Sequence, residues 1–128
     1  MFNLSDKSIL VTDDSAVMRM FLIMNLKRML KVNISEAVNG LDALNQLKSG
    51  TFDLLLTDMN MPEMNGAELV RCVRTGLKSD IPIVIITTKG EIKDRDLGMF
   101  LGASSYLTKP VDGRELIKTV LNYLGHTL

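Results

Sequence analysis

Five short runs rich in Ile, Val and Leu alternate along the chain with longer stretches of helical period, and few folds accommodate that alternation. The runs are Ser8 to Thr12, Ile34 to Val38, Phe52 to Thr57, Ile81 to Thr87 and Ser104 to Thr108. Parallel strands need a crossover between them, usually a helix, so the pattern predicts successive βα units around a parallel sheet. The first, third and fourth runs are almost continuously apolar, as strands covered on both faces must be. The second and fifth mix polar with apolar residues and suit the two edges. Helices are expected from near Ser15, Gly40, Gly66 and Glu91, with Asn39-Gly40, Ser49-Gly50 and Asn65-Gly66 as turn signals. In the last helix Leu116, Ile117, Val120, Leu121 and Leu124 form one apolar stripe, and Asp112 with Glu115 has the spacing of a capping box before it. The expected architecture is a single α/β domain over residues 1–128, a doubly wound three-layer sandwich with a five-stranded parallel sheet.

Hydrophobic residues make up 46% of the chain and charged ones 23%, a balance that folds around a core and excludes intrinsic disorder. Fifteen basic residues match fifteen acidic ones, so no global field draws the chain to nucleic acid or an anionic membrane. The strongest apolar stretches, Met20 to Leu26 and Ile81 to Ile86, are too short to cross a bilayer. The lone Cys72 has no partner for an internal disulfide, and the first residues lack the layout of a secretion signal, so a cytoplasmic location is expected. Cys72 reads as a small packing residue, and His126 as a tail residue without ligand partners.

In an open parallel sheet ligands gather outside the carboxyl ends of the strands, so the residues standing there carry the chemistry. The first strand ends in Asp13-Asp14, the third in Asp58, the fourth in Thr87 and the fifth in Lys109-Pro110. If the first and third strands are neighbours, three carboxylates converge and repel one another unless a cation intervenes. Carboxylate oxygens suit Mg²⁺, which keeps much of its water and binds one or two carboxylates together with a substrate phosphate. Lys109 and the Thr87 hydroxyl are placed to hold phosphoryl oxygens. The nucleophile is then a carboxylate, and Asp58, alone at the end of the most central strand, is the candidate.

These residues resemble a known pattern: Asp13-Asp14, then Asp58-Met59-Asn60-Met61-Pro62-Glu63-Met64-Asn65-Gly66, then Thr87, then Gly102-Ala103-Ser104-Ser105-Tyr106-Leu107-Thr108-Lys109-Pro110. The chain resembles the receiver domain of two-component response regulators, of the stand-alone, CheY-like chemotaxis type. The resemblance covers essentially the whole chain and implies strand order 2-1-3-4-5. It implies Asp58 as phosphoacceptor, with Asp14 a direct Mg²⁺ ligand, Asp13 a ligand mostly through water, and Asn60 adding its backbone carbonyl. Thr87 and Lys109 would bind the phosphoryl group, and Tyr106 would be an aromatic switch that turns inward as Thr87 moves. Asn60 and Lys89 occupy positions that influence phosphoryl lifetime, and Thr88 stands where a smaller residue is usual. A cis Lys109-Pro110 bond is also implied. The implied partners are a histidine kinase or histidine phosphotransfer protein and a downstream target, a flagellar or chemotaxis component. The implied act is self-phosphorylation followed by slow autodephosphorylation, without turnover of an external substrate.

The first helix carries more apolar residues than one sheet-facing stripe uses. Met18, Phe21, Leu22 and Leu26 can fill the buried stripe, leaving Val17, Met20 and Met24 at i, i+3 and i+7 as an exposed line that would dock the phosphodonor. A phosphatase of the haloacid dehalogenase type would require its second aspartate two residues after the nucleophile, whereas Asp13 and Asp14 are adjacent. A flavin carrier is disfavoured because the acidic Asp13-Asp14-Ser15-Ala16 loop repels a flavin phosphate. A binding module without phosphorylation would leave the complete set of site residues unexplained.

Overall fold

Along the central strands the apolar side chains alternate between two separate cores. The computed structural model, which describes residues 1–125, places Ile9, Val11, Leu54, Leu56, Val84 and Ile86 in one core, and Leu10, Leu55, Ile83 and Ile85 in the other. Both faces of the sheet are therefore buried, which is why these segments read as unbroken apolar runs. The strands are β1 (Phe2–Thr12), β2 (Leu30–Ala37), β3 (Leu54–Asp58), β4 (Ile83–Thr87) and β5 (Ser105–Thr108). All pairings are parallel in the order β2-β1-β3-β4-β5, with the two mixed-polarity strands at the edges as expected. The helices are α1 (Ala16–Met29), α2 (Gly40–Ser49), α3 (Gly66–Arg71), α4 (Ile92–Leu101) and α5 (Gly113–Tyr123). Leu22 and Leu26 of α1 join Leu116, Val120 and Leu121 of α5 in the first core, while Ala43 of α2 and Leu69 and Val70 of α3 fill the second. No helix among the described residues is long and apolar enough to cross a membrane.

Several boundaries differ from the sequence reading. β1 begins at Phe2 rather than Ser8, because Phe2 to Leu4 pair with Leu30 to Val32 before the register breaks between Leu4 and Ser8. The irregularity is held by Asn33, whose Nδ2 donates to the carbonyls of Ser5 and Lys7. Leu30 leaves α1 and opens β2 with no turn between them, because its buried side chain belongs to the first core. β4 starts after Pro82, which has no N–H to donate, although its carbonyl still accepts the Leu55 N–H at 3.0 Å. Asp112 does cap α5, but its carboxylate accepts the Arg114 N–H, and the reciprocal capping box belongs instead to Asn65 and Glu68 at the start of α3. α3 continues into one π-helical turn over Cys72–Gly76, where Cys72 is half-buried. His126 lies outside the described residues.

α4 is the least anchored helix. Its N-cap, Glu91, makes no side-chain cap bond, Ile92, Leu97 and Phe100 face solvent, and Gly98 is its one buried residue. A Cβ on Gly98 would lie 3.0 Å from both Ile85 Cδ1 and Met59 Cε, so glycine is what lets the helix approach the sheet. It carries a helix-propensity cost of about 1 kcal/mol relative to alanine. Amide exchange is expected to be roughly tenfold or more faster in α4 than in α5, which buries four residues. Equal protection of the two helices would refute this ranking.

Candidate functional site

The parallel register brings the ends of β1 and β3 side by side, with Thr12 paired to Thr57, so the next residues, Asp13 and Asp58, face one another. Oxygens of Asp13, Asp14 and Asp58 all lie within 4.8 Å of one another. Asp13 and Asp58 are buried and Asp14 is exposed. Met59, which follows Asp58, donates its N–H to the Ile86 carbonyl at 3.0 Å, and Gly66 donates its own to the Met59 carbonyl at 2.8 Å. A Cβ at Gly66 would lie 2.6 Å from the Asp58 carbonyl oxygen, so only glycine permits this close return of the chain behind the site.

Asp13 Oδ1 accepts the Ser15 N–H at 2.9 Å, and Ser15 Oγ accepts the Met18 N–H as the cap of α1. Arg19 reaches back from α1 to donate to the Asp13 carbonyl at 2.7 Å while pairing with Glu36 at 2.9 Å. The loop carrying the two aspartates is thereby tied to both α1 and β2. On the other side of the cavity the Lys109-Pro110 bond is cis, as the resemblance implies, and the Lys109 N–H donates to the Thr87 carbonyl at 2.7 Å. Lys109 Nζ stands 2.9 Å from Asp58 Oδ1, an ion pair in distance without the alignment of a hydrogen bond.

Burial sets the electrostatics. It raises the Asp13 pKa from 3.8 to about 6, with the neighbouring Asp58 and Asp14 adding to the rise while the Ser15 N–H and Lys109 oppose it. Burial also raises Asp58 above the ordinary carboxylate value, even against the pull of Lys109. For Lys109 burial acts downward, but Asp58, with Asp13 and Glu91 behind it, more than reverses this and holds the ammonium above its usual value. The lysine is charged throughout the neutral range.

The residues present fit a hard divalent cation. Asp13 Oδ2 is buried with no hydrogen-bond partner among the described residues, and a carboxylate oxygen left so must find a proton or a positive charge. Three carboxylates with an oxygen-only donor set suit Mg²⁺.

A cavity of about 430 Å³ at the strand ends is lined by Asp13, Asp14, Asp58, Asn60 and Lys109, so five of the expected residues meet in one place. Thr87 is buried at the end of β4 beside Lys109 and does not line the cavity itself. Lys89 is exposed and also off the lining. Tyr106 is 39% exposed, with the Arg95 guanidinium 4.8 Å above its ring, so it stands outward on β5. Val17, Met20 and Met24 are 79%, 61% and 59% exposed, forming the open line expected along α1. Phe21 departs from the expected buried stripe. It is 40% exposed on the flank of α1, where it lines an apolar cavity with Met18, Pro110 and Val111.

Sequence reasoning missed Glu91, which lines the cavity along with Thr88 and Gly90. Its carboxylate accepts the Thr88 N–H at 2.6 Å, and its charge raises both Asp58 and Lys109. The signal was the Thr-x-x-Glu spacing of Thr88 and Glu91, which here closes the turn leading into α4.

A doubly wound α/β sandwich of this strand order is a flavodoxin-like fold, and here an acidic cluster and a lysine stand together at the carboxyl ends of its strands. Residues 9–121 match the response regulator receiver domain, and the chain belongs to that family. Its members are CheY-like signalling switches of two-component systems, and they bind Mg²⁺ in an acidic pocket. The chain is 37% identical over 119 residues to the chemotaxis protein CheY homolog of Campylobacter jejuni, covering 91% of this chain and 92% of that protein. The chemotaxis response regulator CheY4 of Vibrio cholerae superposes with a TM-score of 0.82 at 30% identity, over 91% of this chain and 98% of that one. Full-length FixJ from B. japonicum gives 0.86 at 26% identity, over 94% of this chain and 59% of that longer one.

Proposed function

We propose that this protein is a phosphorylation-dependent response regulator that accepts a phosphoryl group on Asp58 from a histidine kinase or histidine phosphotransfer protein. The observation that carries this reading is the placement of Asp58: buried at the end of β3, 2.9 Å from Lys109 and among the Asp13-Asp14 carboxylates. In the step, a carboxylate oxygen of Asp58 forms a bond to phosphorus as the bond from phosphorus to the donor imidazole nitrogen breaks, and the imidazole leaves. Lys109 supplies a fixed positive charge to the phosphoryl oxygens, and the Thr87 hydroxyl a second donor. Asp13, Asp14, Asp58 and the Asn60 carbonyl would hold Mg²⁺, which supplies Lewis-acid neutralisation of phosphoryl charge when bound.

The new charge at Asp58 is the signal. Tyr106, outward in this state under Arg95, is the proposed switch: its inward turn, coupled to Thr87, alters affinity for a downstream target, a flagellar or chemotaxis component. Asn60 and Lys89 set the phosphoryl lifetime, and slow autodephosphorylation returns the protein to rest. The protein acts in the cytoplasm as a switch, without nucleic acid or membrane insertion. The direct test is intact mass after incubation with a small acyl phosphate. A gain of roughly 80 Da that requires Mg²⁺ supports the reading, and no gain rejects it.

The exposed line Val17, Met20 and Met24 adjoins the aspartates at the start of α1, and is proposed to dock the protein phosphodonor through an apolar seam. Met20→Lys with Met24→Lys is expected to slow transfer from the cognate donor protein by roughly tenfold or more, and to leave labelling by the small acyl phosphate unchanged. Equal rates with both donors would remove these residues from the interface.

A further inference from the structure

A groove of about 590 Å³ runs between the second half of α1 and the first turns of α5, and none of its lining belongs to the acidic cavity. Phe2, Met29 and Ile117 are its apolar lining residues, and Arg28, Arg114 and Lys118 line it together with Asn25 and Asp112. The volume lies within the roughly 300–1,000 Å³ of sites that bury a ligand. One wall is tightly set: a Cβ on Gly113 would lie 2.8 Å from Asn25 Oδ1, so α5 and α1 meet here in close contact.

The charge in the groove is unbalanced. Its single acid, Asp112, is engaged as the cap of α5, accepting the Arg114 N–H at 2.9 Å. Among the described residues the ion pairs are Arg19 with Glu36, Arg95 with Asp96 and Lys109 with Asp58, so the three groove cations have no such partner. In a chain of fifteen basic and fifteen acidic residues this is a local excess. Unpaired guanidinium and ammonium groups around an apolar floor complement carboxylates flanking an apolar anchor: the anchor excludes water, and the carboxylates meet the cations. A second copy supplies this poorly. Its exposed apolar helix α4 interleaves Lys93, Asp94, Arg95 and Asp96, with as many cations as acids.

We infer that the α1–α5 groove docks an acidic peptide segment of a partner protein, anchored by an apolar side chain on Phe2, Met29 and Ile117. The test uses three synthetic peptides with one Phe-Leu anchor flanked by glutamates, glutamines or lysines, titrated against the full chain and read by fluorescence polarisation and amide NMR shifts. The glutamate peptide is expected to bind roughly tenfold or more tighter than the lysine peptide, with shifts centred on Asn25, Arg28, Gly113 and Lys118. Arg114→Glu with Lys118→Glu should reverse the order of the three peptides, a result that damage to the fold would not produce. The same variant should still gain mass from acyl phosphate, because neither residue lines the acidic cavity. An unchanged order in the double variant, shifts that map to another face, or no binding of the glutamate peptide at about 1 mM overturns the inference. Self-association of the chain that the glutamate peptide fails to displace overturns it as well.

Discussion

Asp58→Asn is expected to abolish the roughly 80 Da gain from acyl phosphate completely, while far-UV circular dichroism stays that of the parent. The amide keeps the size of the carboxylate but has no anionic oxygen to form a bond to phosphorus. Its effect on folding is small for two opposed reasons. Removing a buried negative charge relieves the desolvation that raises the Asp58 pKa, and it also deprives Lys109 of its partner at 2.9 Å. Asp13 and Asp14 are close enough to pose the alternative, since all three carboxylates lie within 4.8 Å of one another. Asp14 is exposed, and Asp13 is held by the Ser15 N–H. Neither carries the lysine contact that sets Asp58 apart. Full labelling of the Asn variant would move the acceptor to one of them, and mass-spectrometric mapping of the phosphorylated peptide would identify which.

The parts of the fold that were legible are those in which one physical cause leaves one pattern. Leu54, Leu55 and Leu56 read as a central strand because alternate side chains enter two different cores, so each position must be apolar. Ser5, Asp6 and Lys7 hid the first half of β1 because an irregularity held by Asn33 interrupts both the pairing and the alternation. The junction at Leu30 was hidden for another reason: a buried leucine satisfies helical and strand periodicity alike when no turn residue separates the elements. In the site, Asp13, Asp58 and Lys109 could be placed together because strand ends in a parallel sheet converge. Which of the adjacent Asp13 and Asp14 is buried could not be read, since no local signal separates two like residues at one strand end; in the fold Asp13 turns inward and accepts the Ser15 N–H while Asp14 stays exposed. Glu91 stayed hidden because its carboxylate reaches the cavity by folding back onto the Thr88 N–H, a local turn rather than a strand end.

That inward carboxylate carries the second large effect. Asp13 has an ordinary value of 3.8 and a native pKa of about 6, so between those values the native state binds a proton that the unfolded chain has released. Native stability is then greatest, for this group, at and below about pH 4, falls as pH rises through about 6, and stays reduced above it. Two units at ~1.4 kcal/mol each bound the loss at ~3 kcal/mol, and a value of ~2 kcal/mol is reasonable for a buried group in a cluster. Asp13→Asn removes the charge, while its Oδ1 can still accept the Ser15 N–H and its amide nitrogen takes the place of the buried, unpartnered Oδ2. Without divalent cations at pH 7 the variant is expected to melt higher than the parent by roughly 5–10 °C. That gain should shrink toward zero as pH falls to about 4, where the parent aspartate is itself neutral. About 10 mM Mg²⁺ should raise the melting temperature of the parent at pH 7 more than that of the variant, because a bound cation compensates the same charge. A variant no more stable than the parent at pH 7, or a gain that grows toward pH 4, would mean that Asp13 is not the strained carboxylate of the cluster.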